Sequence, residues 1–223
     1  MEASRNASRI IAALILVQMV SGAVINFGLE VPLFGAPGFL VNAAPHASQI
    51  ALGAVLGLAA GALSVGISIT AYPVFRQYSQ GMALWFVALS VAGLSVIAVE
   101  NMNEMSMLSL SQEYAKANTA DQNQLQTVRV VVASARNWAH FISLIIAGST
   151  IFVMYAVLYR FALVPRVLAA FGLAAVVLQI VTVAMPLFGQ GVVFLLLAPL
   201  GVSQLALAIW LIAKGFRNQG VTS

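Results

Sequence analysis

Glu100 and Glu104 stand one helical turn apart, and further along the chain Arg136 and His140 repeat that spacing. Carboxylates beside a guanidinium and an imidazole are the materials of acid–base catalysis, of a clamp for a polar ligand, or of a plain set of ion pairs. Glu30 closes an earlier apolar stretch, and Asn26, Asn103 and Asn137 fall close to these groups in sequence. In a chain that is only 7% charged, Asn26, Glu30, Glu100, Asn103, Glu104, Arg136, Asn137 and His140 are the candidates for ligand binding. No catalytic residue is assigned among them.

Much chemistry is excluded by what the chain lacks. It has no cysteine and only two histidines, His46 and His140, so disulfides, thiolate nucleophiles and a three-histidine zinc site are out of reach. No phosphate-cradling glycine loop, HExxH zinc helix or Ser/His/Asp set is present. We therefore expect no metal and no cofactor.

The elements that must position the candidates are membrane spans. With 61% hydrophobic residues and a mean hydropathy of +0.99, the chain has too little polar surface to cover a soluble globule. A spanning helix needs about 20 apolar residues, and six stretches qualify, at about 10–29, 48–74, 82–103, 130–158, 165–187 and 192–213. The runs lack the period-two alternation of a membrane barrel. The fold class predicted is all-α, a polytopic membrane protein of six transmembrane helices forming one bundle over residues 1–223. The first run is longer than a signal-peptide core and is expected to stay as a span.

Orientation follows from the basic residues. With both termini cytoplasmic, Arg5, Arg9, Arg76, Arg160, Arg166, Lys214 and Arg217 all lie inside, as the positive-inside rule prefers. The net charge of +4 then faces anionic lipid headgroups and not nucleic acid. Membrane lipids are the expected partners, and nothing indicates a homo-oligomer.

Counting along the helices places the cluster by depth. Glu100 lies 20 residues beyond Gln80 and His140 lies 20 before Arg160, so each is about 30 Å from the inner face at 1.5 Å per residue. Glu30 reaches a similar depth, Glu104 and Arg136 fall about 6 Å farther out, and Asn26 about 6 Å deeper. Antiparallel neighbours then allow Glu100 to meet His140, and Glu104 to meet Arg136. As an enzyme site, Glu100 and His140 would be an acid–base pair of lipid metabolism. As a binding site, the same charges would orient the head of a small amphipathic or lipid-like ligand in an outward-facing pocket. As structure, they would join helix ends in a subunit of a larger complex. The interfacial depth weighs against catalysis, because charges there cost much less than at the bilayer centre.

Four further features bear on position. The segment from Glu30 to His46 carries Pro32, Pro37 and Pro45 and is expected to be free of helix, either a lid over the cluster or a sheltered connector. Gly53, Gly57 and Gly61 form a packing stripe on the second span. The hydrophilic stretch of about 104–129 predicts a helical hairpin beyond the membrane, turning near Asn118-Thr119. Near the midplane Gln18, Ser68, Ser90, Thr150, Gln179 and Gln204 are uncharged, which suits interhelical hydrogen bonds better than a proton or ion path.

The segments NWAHFISLIIAG, which contains His140, YRFALVPRVLAAFGLA and LALAIWLIAKGF together resemble the bacterial membrane family called domain of unknown function 4386. The resemblance implies a six-to-seven-helix protein of the bacterial inner membrane and carries no assigned activity. Members often have glutamate before the final Leu-x-Leu-x-x-Trp element, where this chain has Gln204. That departure favours binding or structure over catalysis.

Overall fold

The computed structural model describes residues 2–217, and every regular element among them is helical. The long helices are α1 (Glu2–Val24), α4 (Ala47–Phe75), α5 (Gln80–Lys116), α6 (Thr119–Arg160), α7 (Arg166–Ala184) and α8 (Ala198–Ala213). Two single-turn helices, α2 (Val31–Phe34) and α3 (Phe39–Asn42), lie between α1 and α4. Six helices are long and apolar enough to cross a membrane, extending over Arg5–Leu29, Ala44–Phe75, Gln80–Lys116, Thr119–Arg160, Arg166–Phe188 and Phe194–Ala213. At 42 residues, α6 is about 63 Å long, roughly twice a hydrocarbon core. Helices α5 and α6 therefore both continue well past an apolar slab, with Lys116 and Thr119 at their meeting ends.

The segment expected to be free of helix is not. Pro32 sits in the first turn of α2, where the N–H that proline lacks has no intrahelical partner to lose, and Pro45 opens a 3-10 turn at Ala44–His46 in the same way. Proline marks where these turns start instead of forbidding them. Ser111 of α5 then staples the segment, donating to the Leu40 carbonyl at 3.0 Å and accepting from the Ala44 N–H at 2.8 Å.

The chain divides into two compact units. One comprises residues up to Met19, Ala62–Gly93 and the chain from Leu144 onward; the other comprises Val20–Gly61 and Leu94–Ser143. In the first, Ile11, Phe75, Phe86, Tyr155, Leu158, Leu207 and Leu211 form the buried core. Tyr155 is fully buried and its hydroxyl donates to Ser203 Oγ at 3.2 Å. Gln18 donates to Ser64, while Ser68, Ser90 and Thr150 return their hydroxyls to carbonyls of their own helices. Gln18, Ser64, Thr150 and Gln204 border a cavity of about 30 Å³, room for a single water.

In the second unit Leu33, Phe39, Leu40, Ile50, Met107 and Leu108 pack together, binding the α2–α3 segment to α4 and α5. The glycine stripe faces neighbours within the chain. A side chain at Gly57 would meet the Asn101 amide at 3.3 Å, and one at Gly61 would meet Leu94 at 2.9 Å. The close approach lets Asn101 Nδ2 reach across to the Ala54 carbonyl at 2.9 Å, an interhelical bond that a β-carbon at Gly57 would crowd.

Candidate functional site

Arg136 organises the polar cluster, which lies wholly within the second unit. It is 4% exposed. Its Nη2 lies 2.9 Å from Glu104 Oε1, 3.1 Å from Glu30 Oε2 and 3.3 Å from Glu100 Oε1. Its Nε adds a second bond to Glu104 Oε1 at 3.2 Å. The Phe34 ring of α2 covers the guanidinium, with its centroid 4.6 Å from Cζ, a cation–π distance. Residues from α2, the Glu30 position just before it, α5 and α6 thus converge on one cation.

One helical turn along α6, His140 Nδ1 lies 2.6 Å from Glu100 Oε1, and Ser143 donates to Glu100 Oε2 at 2.8 Å. The pairings allowed by depth and spacing are present, Glu100 with His140 and Glu104 with Arg136, and Glu30 joins the second pair. Both oxygens of Glu100 are engaged. Burial pushes the Glu30 carboxyl above the usual carboxylate range, and the Arg136 guanidinium opposes that shift.

This geometry orients an imidazole without activating a nucleophile. A carboxylate on Nδ1 sets the ring and its tautomer, but the Ser143 hydroxyl is turned to Glu100 and to the His140 carbonyl instead of to the ring. No group of three or more His, Asp or Glu suited to a metal occurs among the described residues.

The remaining candidates stand apart from the cluster. Asn26 is exposed and donates to the Gly22 carbonyl of its own helix. Asn103 does the same to Val99. Asn137 is exposed and lines an open cavity of about 420 Å³. That cavity is built by Leu33, Gly38 and Phe39 of the α2–α3 segment and by one face of α6 carrying Arg129, Ala133, Ser134, Asn137, Trp138 and Phe141. Glu30, Glu100, Glu104, Arg136 and His140 are not in its lining. The polar cluster is filled by its own side chains, and the open cavity lies on the neighbouring face of α6.

Sequence reasoning passed over Arg129, Ser134 and Trp138. The signal was there: Val130, Ser134, Asn137 and Phe141 recur at intervals of four, three and four, one face of a helix. It was hidden because that face mixes apolar and polar types, with no charge pair to mark it.

The six apolar helices, the membrane-length α5 and α6, and a buried ion cluster joined across them define a polytopic, all-α integral membrane protein. The chain belongs to the family described as Domain of unknown function (DUF4386), which matches residues 10–215, nearly its whole length. No curated protein and no solved structure matches it.

Proposed function

We propose that this protein binds a small amphipathic molecule in the cavity between the α2–α3 segment and α6. The observation that supports this is the cavity itself. At about 420 Å³ it falls within the range of about 300–1,000 Å³ typical of small-molecule sites, and it mixes aromatic and aliphatic walls with a few polar groups. In this reading the Arg136 cluster is the scaffold, holding α2, α5 and α6 in the positions that shape the cavity. Catalysis has less support, since no nucleophile is aligned with His140.

Filling the space tests the proposal. Ser134 is exposed, so Ser134→Trp adds bulk to the cavity without entering the core. Mass spectrometry of molecules copurifying with gently extracted protein is expected to show a specific small molecule with wild type and at least about tenfold less with Ser134→Trp, a loss of about 1.4 kcal/mol or more. The same profile from both proteins would remove the cavity as the binding site.

We further place the protein in a bacterial cytoplasmic membrane with both termini inside and the cavity on the outer side, which the distribution of basic residues supports. The cysteine-free chain offers a clean test. A membrane-impermeant thiol reagent added to whole cells is expected to label Asn118→Cys and to leave Ser79→Cys unmodified. The reverse pattern would invert the topology.

A further inference from the structure

Building on that cavity, we infer that its ligand carries an anionic head, a phosphate or a carboxylate, that Arg129 holds at one end while Trp138 and Phe141 receive the apolar body at the other. The second unit contains three lysine or arginine side chains, and two are already occupied. Lys116 pairs with Glu113 at 3.0 Å, and Arg136 is surrounded by Glu30, Glu100 and Glu104. Arg129 lines the cavity and has no carboxylate partner among the described residues. No acidic residue lines the cavity.

The other polar groups in the wall suit the same head. Ser134 and Asn137 sit one turn apart on α6, and neither side chain makes a hydrogen bond to another described residue. A hydroxyl and an amide N–H are thus available beside a guanidinium, whose planar set of donors matches carboxylate and phosphate oxygens. The acidic cluster does not cancel this attraction. Its carboxylates are turned to Arg136 and His140, and Arg129, which is exposed, lies seven residues from Arg136, about 10 Å along the helix.

The order of groups along α6 also fits an amphiphile. From Arg129 to Phe141 is about 18 Å of rise, running from the hydrophilic end of the helix toward its long apolar stretch. Trp138 and Phe141 stand edge to face with centroids 6.4 Å apart at the apolar end. A head at Arg129 would therefore be near water, with its chain directed toward hydrocarbon.

Three probes with the same twelve-carbon chain test this on the full-length protein: dodecyl phosphate, laurate and uncharged 1-monolauroyl glycerol, each titrated and counted by native mass spectrometry. Wild type is expected to hold one or both anions at least about tenfold tighter than the neutral probe, the scale of one charged hydrogen-bonded contact. Tighter binding of dodecyl phosphate than of laurate assigns a phosphate head, and the reverse assigns a carboxylate. Arg129→Gln should abolish the preference for the anions over the neutral probe, and Arg129→Lys should restore part of it. Equal binding of all three probes by wild type, or a preference that survives Arg129→Gln, would overturn the anionic head and leave the cavity standing. Failure of every probe to bind, or equal binding to Ser134→Trp, would instead overturn the cavity reading on which the inference rests.

Discussion

Arg136→Met is expected to be the most damaging substitution at the polar cluster, lowering stability by about 3–5 kcal/mol because it leaves buried carboxylates without their counter-ion. Glu104 is 1% exposed and Glu30 and Glu100 are each 8% exposed, so solvent cannot take over the role of the guanidinium. His140 stays bound to Glu100, but Glu30 and Glu104 have no other basic partner among the described residues. Loss on this scale corresponds to a fall of about 10 °C in Tm for a chain of this size, measurable by thermal denaturation in detergent. The cluster also predicts a rescue. Adding Glu104→Gln to Arg136→Met removes one of the stranded charges and should recover part of the loss, whereas Glu104→Gln alone should be milder than Arg136→Met. If Arg136→Met melts with wild type, the cluster does not hold the helices together. The idea that it is a scaffold for the cavity then fails as well.

Gly172→Ala is expected to be nearly as harmful, and for a reason unrelated to charge. A β-carbon at Gly172 of α7 would overlap Cε1, Cδ1 and Cζ of the Tyr155 ring of α6. That ring is fully buried and tethered through its hydroxyl to Ser203 of α8, so it cannot swing aside as the end of a flexible side chain would. Overpacking of this kind usually costs about 1–3 kcal/mol, and a rigid ring should place this case at the upper end. Tyr155→Phe should not rescue Gly172→Ala, because the clashing ring remains. Tyr155→Leu should rescue it in part. Thermal denaturation of the single and double variants reads the coupling directly. An unchanged Tm for Gly172→Ala would mean that α6 and α7 are less closely packed than the structure has them.

These two substitutions divide what could be read in advance from what could not. Arg136 was visible in the sequence, because an arginine beside an apolar run in so sparsely charged a chain must find a partner, and helical spacing with depth pointed to Glu104. The same reasoning paired Glu100 with His140. Glu30 joins them too, but its bond to Arg136 bridges residues 106 apart in sequence, a distance that spacing within one helix cannot address. Gly172 carried no signal. It lies in an apolar helix among many small residues, and only the placement of the Tyr155 ring makes it irreplaceable by alanine.

The number of spans, their all-helical character, the extension of α5 and α6 and the turn near Asn118 followed from composition and periodicity. Backbone groups in hydrocarbon must bond within their own segment, so a long apolar run has few alternatives to a helix. The location of empty space did not follow. Whether Glu100 and His140 border a pocket or fill one depends on how side chains from four separate segments interlock, and they close on Arg136 while the α2–α3 segment stands off the adjacent face of α6. Hydropathy and helical period are properties of one segment at a time. A cavity is a property of several segments together, which is why the open space beside the cluster, on the next face of α6, could not be read from any one of them.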